Sequence, residues 1–355
     1  MNKEGQREQM QLKRIFYWFV LIVGCIFAFS SSYSQSVSRT GTTAAPFLKI
    51  GVGSRGLGMG EAYTTQAEDV TAMYWNPAGL ANSDKSQVVF DHYYYFADMS
   101  YNFGAISIPM SGIGTFGAFV SYFDEGSIER TTVSDPEGTG EQVNANSIAV
   151  GLSYSRMLTD RFSIGGNVKY IQETIWHSSA TGVAFDIGVL YKAFFKNIKI
   201  GMSISNFGTN LQMNGRDVLV QHDINTSVEG NNPNVNSDLE TDSYSLPVVF
   251  RVGISADILK DFLNVQEHSW ILSIDAVHPN DNFEYVNMGT EVKLFNVVSL
   301  RTGYREMFMQ DREGGLSFGV GVKANVGIGT IDFDYANVDF GLLQRQNNIS
   351  IILSF

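Results

Sequence analysis

At 355 residues the chain can hold one large domain or two ordinary ones, and its make-up is unusual: 17% charged, 13% aromatic, 35 Gly against 7 Pro. That mixture suits sheets whose two faces meet different solvents. The formal net charge of −12 opposes binding to phosphate backbones, so no nucleic-acid partner is expected.

The first element is a leader. Lys13 and Arg14 precede the apolar run IFYWFVLIVGCIFAF, and the small and polar SSSYSQ follows. Residues 1–35 therefore read as a signal peptide cut near Gln35, with either Met1 or Met10 as the start. The apolar run is shorter than the roughly 20 residues a spanning helix needs. IVGC resembles a lipoprotein box ending at Cys25, but apolar IFAF continues where a lipoprotein turns polar. Cys25 is the one cysteine of the chain, so losing the leader leaves no thiol and no disulfide framework.

Next comes GVGSRG at 51–56, a literal G-x-G-x-x-G. A dinucleotide fingerprint needs a buried strand before it, a helix after it and an acidic residue about 20 positions on. Here only PFLKI precedes it, LGMGEAYTT has no apolar helical period, and Asp69 and Asp84 fall at poor distances. No phosphate site is expected.

From Gln87 onward the chain alternates. Ile148, Val150, Leu152 and Tyr154 oppose Ala149, Gly151, Ser153 and Ser155; Ile198, Ile200, Met202 and Ile204 oppose Lys199, Gly201, Ser203 and Ser205. Period two is the strand signature. Strands are expected near 86–97, 99–109, 114–124, 145–156, 162–174, 182–193 and 196–206. Seven more follow near 247–257, 269–277, 284–294, 297–306, 314–325, 328–338 and 347–355. About 14 strands near the length a tilted strand needs to cross a bilayer imply an all-β transmembrane antiparallel barrel.

The connections support that reading. With a periplasmic start, the even connections should be short, and they read MSGIG, LTD, FFKN, DFLNVQEHS, KLFN and NVG. The odd ones should be longer; those near 125–144 and 207–246 are the longest, the fifth, eleventh and thirteenth are also substantial, and the first is very short. The closing NNISIILSF puts Ile349, Ile351, Leu353 and Phe355 on one face, like the assembly signal of outer-membrane barrels.

If apolar positions face lipid, their neighbours face the lumen. This places Asp275, Glu291, Lys293, Arg301, Arg305, Lys323, Asp332 and Asp334 inward. Asp275, Arg301, Arg305, Asp332 and Asp334 are the expected lumen charge network, pairing across the lumen or holding a plug. Tyr93, Tyr94 and Tyr95 read as lipid-interface anchors, with a ligand wall as the alternative. The domains are then a signal peptide (1–35), an N-terminal plug or hatch segment (36–85) and the barrel (86–355). In the plug, glycines permit close approach to a crowded wall, AEDVTAMYW is expected to form a short helix, and NPAGL to end it.

GSRGLGMGEAYTTQAEDVTAMYWNPAGLA resembles the N-terminal signature of the PorV/PorQ family of Bacteroidetes outer-membrane proteins. Asn-Pro-Ala at 76–78 is also shared with the long-chain fatty-acid transporter (FadL) superfamily, whose barrels have 14 strands. Gly56, Gly58, Gly60, Trp75, Asn76, Pro77 and Ala78 carry the resemblance as a plug or hatch motif. It departs from PorV proper in reading NPAGL after the shared tripeptide, which suits a broader PorV-like paralogue. The resemblance implies an interaction or shuttle component of type IX protein secretion, in the cell outer membrane. Its partners would be membrane lipids and the type IX translocon or the C-terminal signal domains of cargo. The alternative is a FadL-like transporter of a hydrophobic small-molecule ligand.

Catalysis has little support. His92, His177, His222, His268 and His278 are scattered without metal-ligand spacing, and Asp332 with Asp334 lacks a partner for hydrolysis. Asp238, Glu240 and Asp242 lack calcium-loop spacing and read as a solvated loop. No enzyme, metal or cofactor is expected.

Overall fold

The alternation seen in the sequence gives each strand one apolar and one small or polar face, and the chain closes so that the second face is inside. The computed structural model describes residues 39–355 apart from 225, 226, 228–231, 233, 264, 266, 310, 311, 313 and 328. The expected signal peptide, with Cys25 and Gln35, lies outside the described residues.

Fourteen strands make the wall: β1 (Gln87–Tyr94), β2 (Ser100–Met110), β3 (Gly114–Glu129), β4 (Gln142–Thr159), β5 (Phe162–Ile175), β6 (Ser178–Lys192), β7 (Lys199–Gly208), β8 (Val249–Asp257), β9 (Ser269–Pro279), β10 (Tyr285–Leu294), β11 (Val298–Met307), β12 (Leu316–Asn325), β13 (Thr330–Asp339) and β14 (Arg345–Ser354). Each pairs antiparallel with its sequence neighbours, and β1 pairs with β14 from Gln87 opposite Ser354 to Tyr94 opposite Asn347. Closure leaves no wall strand with a free edge, which is what a hydrocarbon surround demands of backbone N–H and C=O groups. Outward residues such as Phe90, Leu152, Ile187, Leu300 and Phe318 are exposed, while their neighbours Asp91, Ser153, Asp186 and Arg301 are buried. Exposed apolar side chains over a closed antiparallel wall form a lipid-facing belt.

The two ends differ. One carries the connections 111–113, 160–161, 193–198, 258–268, 295–297 and 326–329, together with the start of β1 and the end of β14. This is the turn end. The other carries 95–99, 130–141, 176–177, 209–248, 280–284, 308–315 and 340–344. This is the loop end. The longest connection, 209–248, contains two small two-stranded pairings, 211–212 with 243–244 and 219–222 with 235–238.

Two expectations need correction. Strands β3, β4, β5 and β6 run to 16, 18, 14 and 15 residues, so they continue past the thickness a bilayer requires. Consequently the fifth connection is only Trp176–His177. Paired strands satisfy each other's backbone in water as well as in lipid, so the β3–β4 and β5–β6 hairpins keep their ladders beyond the membrane. The tyrosine triplet also divides: Tyr94 is exposed, whereas Tyr93 is buried and packs edge-on against Tyr95 at 5.6 Å.

Residues 45–82 fold inside the wall as single turns: 3₁₀ at Pro46–Lys49 and Pro77–Asn82, α at Ser54–Gly58 and Ala72–Trp75. The short helix expected in AEDVTAMYW is confined to its last four residues, because Asn76 is extended (φ −160°) before Pro77. Val52, Leu57, Met59, Tyr63, Val70, Met73, Trp75 and Leu80 on this segment are fully or almost fully buried. Inward aromatics of β2 and β3, among them Phe103 and Phe119, belong to the same core.

Candidate functional site

The inner wall is cut to fit the segment. Gly60 has φ +62°, and a Cβ there would lie 2.6 Å from Tyr304 N and 2.8 Å from Gly303 C. Gly58 sits against Gly319 of β12, where an added Cβ would stand 2.9 Å from its Cα. Glycine on both partners allows backbone to touch backbone. Gly56 lies under the Trp75 indole, which an added Cβ would meet at 3.0 Å.

Trp75 is 1% exposed; its indole N–H donates to Val52 O at 2.8 Å, and Tyr74 and Tyr63 pack edge-on at 4.8 and 6.0 Å. Asn76 joins segment to wall. Its Nδ2 donates to Thr64 O at 3.0 Å and to Val189 O of β6 at 3.1 Å, while its Oδ1 accepts from Ala78 N at 3.2 Å. Gly188 makes room for that amide. Pro77 opens the following 3₁₀ turn and rests against Gly165 of β5. The Ala78 carbonyl accepts from the Ser155 hydroxyl at 3.1 Å and the Ser163 hydroxyl at 2.9 Å.

The charged contacts lie on the other side of the lumen. Arg301 faces Glu291 across the β10–β11 ladder, with Nε–Oε1 at 2.7 Å. It reaches Asp334 at 2.5 Å over Gly321, where any Cβ would collide with the pair. Arg55 of the segment grips the same Glu291 at 3.0 and 2.8 Å, and Asp69 stands 3.6 Å from it. Lys293 adds a third cation, 3.3 Å from Glu291.

A second contact pairs Arg305 with Glu61 at 3.2 Å and with Glu306 at 3.3 Å. Asp275 stands apart from both groups and accepts the Thr64 backbone N–H at 2.8 Å. Asp332 pairs with Lys323 at 3.1 Å beside the turn end.

The chain agrees with known proteins in the same sense. A model of the type IX secretion system protein PorV matches residues 33–218, 186 of the 355 residues. The chain belongs to the PorV family. It is an outer-membrane multi-strand β-barrel of type IX secretion. No curated protein shows a significant match. Among solved structures, the toluene transporter TbuX of Ralstonia pickettii is similar at TM-score 0.54 and 14% identity, covering 86% of this chain and 97% of that one. The Pseudomonas putida toluene transporter TodX follows at 0.54 and 11%, covering 84% and 96%. The monoaromatic hydrocarbon channel CymD stands at 0.53 and 12%, covering 86% and 97%. At such identities these likenesses bear on the fold alone.

In this PorV-family barrel, Gly56, Gly58, Gly60, Trp75, Asn76, Pro77 and Ala78 all lie on the lumen segment, and all are buried. The five charges grouped from the sequence do not form one network. Arg301 and Asp334 share one cluster, Arg305 belongs to another, and Asp275 and Asp332 have separate partners. Sequence reasoning placed Glu291 inward but missed it as the hub, and it missed Arg55 and Glu61 altogether. Their signal was available: a segment read as buried carries Arg55, Glu61 and Asp69, and buried charges need partners.

Proposed function

We propose that this barrel works in type IX secretion as a non-enzymatic interaction or shuttle component, with its lumen closed by the N-terminal segment acting as a plug. The observation that carries this reading is the double attachment of Arg55 and Arg301 to Glu291, which ties segment to wall across the charged half of the lumen. An apolar ligand gains nothing by desolvating such groups. The interior space beside Tyr74, Tyr101 and Phe119 amounts to about 20 Å³, with Arg251 and Lys169 in its lining. That is room for about one water. Wider, polar spaces of about 360 and 340 Å³ lie beside Arg55, Lys293 and Asp334 and beside Glu68, Lys199 and Asp257, and the outer wall and the loop end are where translocon or cargo C-terminal domains would dock.

Purification of the tagged protein from its native outer membrane in mild detergent, with mass spectrometry of proteins and lipids, tests this. Recovery with a giant translocon or with secreted cargo domains is the expected result. A lone barrel carrying a stoichiometric hydrophobic molecule would overturn it. That outcome favours the second reading, a transporter of hydrophobic small molecules, to which the fold of the hydrocarbon channels lends support.

A further inference from the structure

The lumen segment runs in one direction through the barrel. Its first anchors are all at the loop end. The Ala44 N–H donates to Ser245 O at 3.0 Å, in the 209–248 connection. Thr43 Oγ1 and Lys49 Nζ converge on one oxygen of Asp281 at 2.9 and 2.5 Å, in the 280–284 connection. Its last contacts are at the turn end. Glu68 meets Lys199 at the start of β7 at 2.5 Å, Ala78 meets Ser163 at the start of β5, and Ser86 exchanges backbone hydrogen bonds with Phe355.

The segment thus traverses the lumen once, from the loop end to the turn end. We infer that residues 39–42 of this outer-membrane protein are presented at the cell surface, latched at the barrel mouth by Asp281. In outer-membrane barrels the long connections are extracellular and the short turns periplasmic. Residues 39–42 are exposed at that mouth. A chain exported through the periplasm must therefore be threaded through its own barrel, or enclosed by it, during assembly. The outer face then includes residues 39–42 as well as loops. Asp281 suits the latch: it is 2% exposed, and two groups of the segment share its Oδ2.

Single-cysteine labelling tests the topology, because Cys25 is the one natural cysteine. In a Cys25→Ser background, Arg39→Cys is compared with Val133→Cys in the 130–141 connection and Asp84→Cys at the turn end. All three positions are exposed. Intact cells are treated with a membrane-impermeant maleimide, then lysed and treated again. The expected result is that Arg39→Cys labels as fully as Val133→Cys in intact cells, with no gain on lysis, while Asp84→Cys labels only after lysis. If Arg39→Cys follows Asp84→Cys, or is shielded in both conditions, the inference is wrong. Asp281→Asn, which keeps the shape but removes the charge, is expected to raise protease cleavage around residues 43–49 while leaving Val133→Cys labelling unchanged. No change in that cleavage would remove the latch.

Discussion

Arg55 on the lumen segment and Glu291 on the barrel wall meet in a two-bond ion pair, 236 residues apart in sequence, with Glu291 fully buried. A buried pair is poor evidence for net stability, because desolvating both ions costs several kcal/mol, but it is strong evidence for register. Removing one partner leaves the other charge stranded.

Glu291→Ala should therefore remove the carboxylate that Arg55, Arg301 and Lys293 share, leaving Arg301 to Asp334 and Arg55 to Asp69 at 3.6 Å. The expected loss is about 3–5 kcal/mol of unfolding stability, read from denaturant titration of the barrel in detergent. The same variant should show ion conductance in planar bilayers that the parent lacks. A parent-like stability and a closed lumen would mean that the ion pairs do not hold the segment.

Gly60→Ala tests the backbone contact. The residue stands at φ +62°, and its Cβ would be driven into Gly303 and Tyr304. Overpacking of this kind costs about 1–3 kcal/mol, on top of the left-handed strain. Because Glu61 follows directly, displacement should also weaken its pair with Arg305. Gly41→Ala is a useful comparison, since Gly41 also has positive φ but nothing within 4 Å of its added Cβ. Equal effects of the two would show that strain alone, and no collision with the wall, is responsible.

Asn76 offers a test of chemistry at constant size. Asn76→Asp replaces a donor amide with an oxygen facing the Thr64 and Val189 carbonyls. Each buried carbonyl left without its donor costs about 1–3 kcal/mol. The variant should lose more stability than Trp75→Phe, which keeps an aromatic ring but drops the indole bond to Val52 O. The reverse ranking in thermal melts would argue that ring packing dominates this turn.

The long connection has its own pH response. Asp217 accepts from the His177 backbone N–H at 2.9 Å, from the Ser178 hydroxyl at 3.2 Å, and lies 3.0 Å from the His177 ring. Desolvation works against ionisation, but the His177 hydrogen bonds outweigh it and hold this carboxyl below its ordinary value. A depressed carboxyl contributes fully above its unfolded value of about 3.9 and loses that contribution as pH falls through the lower folded value. Proteolysis of the 209–248 connection should thus accelerate as pH falls below about 4, as read with an acid-tolerant protease. In Asp217→Asn that acceleration should be absent; its persistence would place the titrating group elsewhere.

The wall was readable from the chain because strand alternation is a local property. Phe90, Val150 and Leu300 announce their side of the sheet through their immediate neighbours, and a one-residue slip would turn every one of them over. The inward direction of Asp275, Glu291, Arg301 and Asp334 followed from the same rule. The outward reading of Tyr93 failed because a tyrosine satisfies either an interface or an interior core, and only the packing of Tyr95 and Phe340 around it selects the latter.

What the sequence by itself determined is the alternation, the strand number, the place of the two longest connections, and the unusual glycine content of the segment at 51–60. Tertiary structure alone decided which charges meet. Arg301 and Glu291 become opposite through ladder register, Asp334 reaches them over a missing side chain at Gly321, and Arg55 arrives from far away in sequence. Period two fixes which face a residue takes, but pairing across a lumen depends on stagger and on the fold of whatever fills it. Those are properties of closure, and the chain expresses them only once the first strand has found the last.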